Sequence, residues 1–139
     1  VVGGHGDTTM IPLIRLATWN SAPVTDFLSA EQQEKIVKDT MVGGATLTAL
    51  IGTSAWYAPG AAGAALVEAI IRDEKKLFTC CVALDGKYGQ KDICLGVPVI
   101  IGKNGWEKIL DFKLDSTEQA AFNKSAEAVR SMNEVLKTL

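Results

Sequence analysis

Two apolar, β-like runs, Leu77–Leu84 and Ile93–Ile101, are separated by eight polar and glycine-containing residues, Asp85-Gly86-Lys87-Tyr88-Gly89-Gln90-Lys91-Asp92. Runs of this length, bounded by turn residues, predict two antiparallel strands joined as a hairpin. Gly102-Lys103-Asn104-Gly105 follows, and its Asn-Gly pair is a strong tight-turn signal. A third strand is therefore expected over 106–112. Three neighbouring antiparallel strands leave a sheet face that must be covered, and the remaining sequence supplies helices to cover it.

Ser29-Ala30-Glu31-Gln32 and Ser116-Thr117-Glu118-Gln119 both carry the spacing of a capping box, in which each side chain satisfies a free N–H at the other end. The first opens a helix bearing Ile36, Val37, Thr40, Met41, Leu47, Leu50 and Ile51, which Gly43-Gly44 is expected to kink or split. The second opens a helix with Phe122, Ala126, Val129, Met132 and Leu136 on one stripe. Between them, Pro59-Gly60 precedes a helix predicted over 61–73, with Ala62, Ala65, Leu66 and Ala69 on one side. Near the start, Met10–Ala17 reads as an edge strand because of Pro12, and residues 18–28 as a connecting loop. The order is strand, helix, helix, three antiparallel strands, helix: an α+β domain. Its 139 residues are one domain by size and enough for a core of its own.

Several function classes are disfavoured. The net charge of −2 comes from 14 basic and 16 acidic residues scattered along the chain, with no basic stripe for nucleic acid. The longest nearly uncharged stretch, Met41–Val67, is broken by glycines and Pro59, so no membrane span is expected. Cys80, Cys81 and Cys94 are an odd set with one adjacent pair, a poor disulfide framework; Cys80 and Cys81, in an apolar β-like run, are expected to be buried, reduced thiols, and the protein cytoplasmic. One histidine cannot complete a normal zinc site with them, and no acidic cluster has metal-ligand spacing. No G-x-G-x-x-G phosphate cradle is present.

His5 is the single histidine, so any imidazole acid–base chemistry falls to it. A lone histidine is most often an ordinary surface or core residue. Here Gly4 and Gly6 flank it, leaving the ring unshielded, and Asp7 and Thr8 are small polar residues suited to holding a turn. A free imidazole titrates near pH ~6.5 and can both donate and accept a proton. Asp7 is a candidate orienting carboxylate, though it could equally serve the turn.

Taken together, Val2-Gly3-Gly4-His5-Gly6-Asp7-Thr8 resembles the active-site signature of the NAD-dependent lactate/malate dehydrogenase family. Glycine before the histidine, where lactate dehydrogenases usually have Glu or Gln, is similar to the bacterial malate dehydrogenases of lactate-dehydrogenase-like architecture. Ala22-Pro23-Val24, Gly52-Thr53-Ser54-Ala55-Trp56-Tyr57-Ala58-Pro59, Lys91-Asp92-Ile93-Cys94-Leu95-Gly96-Val97-Pro98 and Ile101-Gly102-Lys103-Asn104-Gly105 extend the likeness along the whole chain. Thr8-Thr9-Met10 departs from it, since much of the family has one Thr there, and a small shift of the loop after His5 is expected.

The resemblance implies the C-terminal, substrate-side domain of such an enzyme. In it, His5 is the catalytic proton donor and acceptor for malate/oxaloacetate interconversion, and Ser54 and Ala55 stand in the substrate-pocket wall. It implies NAD bound mainly by an N-terminal dinucleotide domain outside these residues. The carboxylate that orients the histidine and the arginine that grips the substrate carboxylate also lie there. The opening Val1-Val2-Gly3, without a methionine or lead-in, reads as a boundary inside a larger protein. The isolated chain is expected to be inactive, and the family to assemble as dimers or tetramers. Two other readings stay open: a lactate dehydrogenase, and a non-catalytic binding or dimerisation module.

Overall fold

The structure is a computed structural model and describes residues 1–138. The expected hairpin is its centre. Strands β5 (Lys76–Asp85) and β6 (Lys91–Gly102) pair antiparallel along their length, with Val82 opposite Leu95, Leu84 opposite Ile93, and Cys80 opposite Val97. Strand side chains alternate between faces. The even positions of β5 and the odd positions of β6 therefore share one face, and Val82, Leu84, Ile93, Leu95, Val97, Val99 and Ile101 are all buried on it. Along its other edge β6 takes two partners. Gly96 pairs with Gly3 of the short strand β1 (Val2–Gly3), itself paired with β2 (Met10–Ile11), while residues 99–102 pair with β7 (Gly105–Ile109).

Strand β7 ends earlier than its sequence pattern predicts. Beyond Ile109 the chain turns to Tyr88, whose hydroxyl donates to the Leu110 carbonyl and accepts the Phe112 N–H at 3.0 Å. Burial pushes the Tyr88 phenol above its usual range, which keeps the proton that this bridge requires.

Helix α3 (Ser116–Leu136) closes the core, with Phe122 and Ala126 buried and the Phe122 ring 5.4 Å from that of Tyr88. Its capping box sits one residue before the expected place. Asp115 is the cap and accepts the Glu118 N–H at 2.8 Å, while Glu118 accepts the Asp115 N–H at 2.9 Å. Met132 and Leu136, on the predicted stripe, are exposed because the sheet does not extend beneath the last turns.

Helix α1 (Ala30–Ile51) carries the expected box, the Gln32 N–H on Ser29 and the Ser29 N–H on Gln32. It runs unbroken through Gly43-Gly44, correcting the expected kink, and buries none of its residues. Helix α2 (Tyr57–Ile71) starts earlier than expected because Pro59 falls in its first turn, where a missing N–H costs nothing. Ala69 is its buried anchor, whereas Ala62 faces out. No helix of the described residues is long and apolar enough to cross a membrane.

Met10–Ala17 is not one strand. Pro12 has no N–H for the ladder, so pairing stops at Ile11 and the chain enters a helical turn at Ile14–Leu16. That turn delivers Arg15 to the start of α3, where its guanidinium donates two 2.7 Å bonds to the Glu118 carboxylate and one to the Lys113 carbonyl. The following loop holds a minimal hairpin, β3 (Thr18–Trp19) with β4 (Ala22–Pro23), turned by Asn20 and Ser21, both at positive φ.

The Arg15 fork holds the Glu118 carboxyl below its usual range. A carboxylate depressed by folding stabilises the fold above its unfolded pKa, near ~4.3, and loses that contribution as pH falls through the lower folded value. Glu118→Gln is therefore expected to lower the thermal midpoint at pH 7. The deficit relative to wild type should shrink as pH falls below ~4, in thermal melts followed by circular dichroism.

Candidate functional site

His5 lies in the six-residue loop between β1 and β2, its side chain exposed. The loop is held by its own turn and by α3. The Gly6 N–H donates to Thr9 Oγ1 at 2.8 Å, and the Thr9 and Met10 N–H groups return to the Gly6 carbonyl at 3.0 and 2.8 Å. From α3, the Ser125 hydroxyl accepts the Gly4 N–H at 2.8 Å and donates to the Thr9 carbonyl at 2.7 Å. Thr9, the extra threonine, thus does the work expected of Asp7 and Thr8. Among the described residues Asp7 forms no ion pair or hydrogen bond with His5, so the carboxylate considered as its orienting partner is not one within this chain.

Two glycines show how closely this loop is packed. A Cβ on Gly4 would lie 2.7 Å from Thr9 Oγ1 and 2.9 Å from Thr9 Cβ, so the position admits no side chain while Thr9 stands where it does. A Cβ on Gly96 would lie 2.8 Å from the Gly3 carbonyl oxygen, so glycine in β6 is what lets β1 come close enough to pair. The packing thus explains why neither Gly4, in the loop, nor Gly96, in the strand beside it, can be replaced in place.

In front of His5 is an open depression of about 400 Å³, lined by His5, Gly4, Met10, Thr79, Cys81 and Cys94 among others. It is largely apolar apart from the imidazole. Cys81 and Cys94 are exposed there and Cys80 is half-buried, all three as free thiols, which corrects the expectation that Cys80 and Cys81 would be buried. The cause is strand phase: Cys80 shares the core face with Val82, and Cys81, one residue on, must face the other way. Burial, then the neighbouring Cys94, push the Cys81 thiol above its usual range, so it is a poor nucleophile near neutrality.

Ser54 and Ala55 lie in the connection between α1 and α2, Ser54 exposed and Ala55 half-buried. Neither lines the depression beside His5. The arrangement within the described residues is thus one solvent-facing imidazole on a braced loop, beside an apolar hollow. It can exchange a proton with a group placed in that hollow and offers no second acid–base partner.

Sequence reasoning did not find Ser125 or Gly96 as parts of this site. Ser125 left a faint trace, as a polar residue one turn after Phe122 on the apolar side of its helix.

Comparison with known proteins agrees along the chain. The family model for the lactate/malate dehydrogenase α/β C-terminal domain matches residues 1–138. A malate dehydrogenase of Flavobacterium frigidimaris is 64% identical over all 139 residues, which make up 45% of that protein. One from Bacteroides thetaiotaomicron is 60% identical over 137 residues, 99% of this chain and 44% of that one. The structure superposes on malate dehydrogenase from Salinibacter ruber with a TM-score of 0.95 at 42% identity, covering 99% of this chain and 45% of that one. A lactate dehydrogenase from Cryptosporidium parvum, solved with lactic acid and nicotinamide adenine dinucleotide, gives a TM-score of 0.93 at 33% identity over 99% of this chain and 45% of that one. The chain thus spans a little under half the length of the relatives it matches, and it belongs to the lactate/malate dehydrogenase family, whose α/β C-terminal domain it forms.

Proposed function

We propose that these residues are the substrate-side domain of an NAD-dependent malate dehydrogenase, in which His5 gives a proton to the carbonyl oxygen of oxaloacetate and takes it back from malate. One observation carries the reading: the exposed imidazole stands on a loop braced from behind and faces an open hollow. A positioned general acid of this kind contributes about 10²–10⁴-fold to a rate.

The residues present do not fit a dinucleotide. Binding one calls for a glycine-rich strand-to-helix turn at which the pyrophosphate meets a helix N-terminus. Among the described residues, the N-terminus of α3 is capped by the carboxylate of Asp115, which repels phosphate, that of α1 is filled by its own Ser29–Gln32 box, and that of α2, without a side-chain cap, follows a helix and not a strand. NAD is assigned to a dinucleotide-binding domain elsewhere in a longer protein, as the relatives' greater length supports. When bound, the nicotinamide supplies or removes the hydride; this domain's share is the proton and the floor of the hollow. Ser54 and Ala55 are assigned to the substrate-pocket wall on the family resemblance.

Assembly follows the same reading. Val42, Leu47, Leu50, Ile51, Trp56 and Tyr57 of the α1–α2 region are exposed, an apolar surface suited to cover by the dinucleotide domain and by a second copy in a dimer or tetramer. Free thiols suit a reducing, cytoplasmic setting.

A lactate dehydrogenase is the second reading, supported by the near-equal superposition on the Cryptosporidium enzyme. Gly4 favours malate: lactate dehydrogenases usually carry Glu or Gln there, and Thr9 leaves that position no room. The test is NADH oxidation by the full-length enzyme carrying this chain, with oxaloacetate or pyruvate. Oxaloacetate is expected to be preferred by at least about 10²-fold in kcat/KM, a margin that selective charge and hydrogen-bond recognition readily supplies. Preference for pyruvate would transfer the assignment to the second reading.

A further inference from the structure

Ser125 is the one buried polar residue among the described residues, 3% exposed, and it sits on α3 beside the buried Phe122 and Ala126. A serine inside a helix ordinarily bonds back to a carbonyl one turn earlier or faces water. Ser125 instead spends its whole hydroxyl on a loop more than a hundred residues away in sequence. It accepts the N–H of Gly4, the residue before His5, at 2.8 Å, and donates to the carbonyl of Thr9, at the far end of the same loop, at 2.7 Å. The two loop ends also meet directly, Gly4 N–H to Thr9 carbonyl, at a longer 3.2 Å. One hydroxyl thus closes the base of the His5 loop and ties it to the core.

The geometry points to Ser125 as a positioning residue for His5: by fixing Gly4 and Thr9 to α3, its hydroxyl sets where the imidazole stands over the hollow. The inference rests on the reading of His5 as the proton donor. It goes further in naming what holds that donor, since no carboxylate among the described residues does. Neither Ser125 nor Thr9 lines the hollow, so the effect acts through His5 and not through contact with a substrate. Removing the hydroxyl leaves two half-buried backbone groups with only their long mutual bond, a loss that corresponds to about ten- to a hundredfold in a local equilibrium. A misplacement of about 1 Å in a catalytic group costs a comparable factor in rate.

The test compares Ser125→Ala and Ser125→Cys in the full-length enzyme, reading amide exchange at Gly4 together with kcat and KM for oxaloacetate. The cysteine variant refills the volume with a weak hydrogen-bonding group, so it separates bonding from packing and stands in if the alanine variant does not fold. Both variants are expected to exchange the Gly4 amide at least about tenfold faster and to lose about ten- to a hundredfold in kcat, with KM within about threefold of wild type. Wild-type kcat and Gly4 exchange in Ser125→Cys would overturn the inference, leaving Ser125 a packing residue. Should the wild-type enzyme fail to reduce oxaloacetate, the reading of His5 falls by itself. Gly4 exchange then still decides whether Ser125 holds the loop: faster exchange upholds that hold, and unchanged exchange overturns it.

Discussion

Replacing His5 with asparagine in the full-length enzyme is expected to lower kcat for oxaloacetate reduction by about 10²–10⁴-fold, the range a positioned general acid supplies. Asparagine keeps a polar side chain of similar reach but has no proton to transfer near neutrality. The thermal midpoint should stay within about 1 °C of wild type, because His5 is exposed and its side chain makes no hydrogen bond among the described residues. The pairing of outcomes is what discriminates. A large kinetic loss with an intact fold places the chemistry on the imidazole, whereas a loss of both would make His5 a structural residue of its loop. Activity close to wild type would remove it from the mechanism.

The largest effect on stability is expected from Phe122→Ala. Phe122 is fully buried, packs on the Tyr88 ring at 5.4 Å, and belongs to the cluster formed with Leu95, Val97 and Val99 of β6. Truncating a buried phenylalanine removes its transfer free energy and leaves a cavity, about 3–5 kcal/mol in all. Against a domain stability of about 5–15 kcal/mol, that is a large share. Urea unfolding should show a lower midpoint at an unchanged slope. The loss has a functional corollary, since Ser125 stands one turn along the same helix and a loosened α3 loosens the His5 loop. A loss below about 1 kcal/mol would mean that α3 does not close the core as described.

The parts of this fold that were legible in the sequence are those governed by near neighbours. The long runs of β5 and β6 and the Asn-Gly turn announced the meander, because period-two patterning and turn chemistry are local. The Ser29–Gln32 box marked the start of α1 to the residue. The α3 box was displaced by one because Asp115 and Ser116 are both good caps; Asp115 prevails, with Glu118 shared between the cap and Arg15. Met10–Ala17 has the apolar character of a strand, and Pro12 marked it as an edge; Pro12 ends the pairing at Ile11, and the turn that follows is secured by the reach of Arg15 to Glu118. The cysteines illustrate a different limit. Composition places a thiol in a strand, but the face it takes depends on register, and a single step separates Cys80 from Cys81.

The candidate site divides in the same way. His5 and its glycines stood out as a string, and the family resemblance supplied the role. Ser125 did not, because its bonds to Gly4 and Thr9 span 121 and 116 residues and leave no periodic mark. Spacing alone lined up apolar residues on α1 and α2 without saying what covers them. Among the described residues nothing buries any residue of α1, so these side chains stand exposed.

The most direct test of the proposed function is to follow NADH oxidation with oxaloacetate for the 139-residue chain alone, and again after adding, separately produced, the dinucleotide-binding part that the proposal assigns to the same enzyme. The chain alone is expected to show no turnover above the uncatalysed rate, and the mixture to recover activity that the His5→Asn chain does not. Turnover by the chain alone, or equal recovery with the His5→Asn chain, would contradict the assignment of the proton to His5 and of the dinucleotide to another domain.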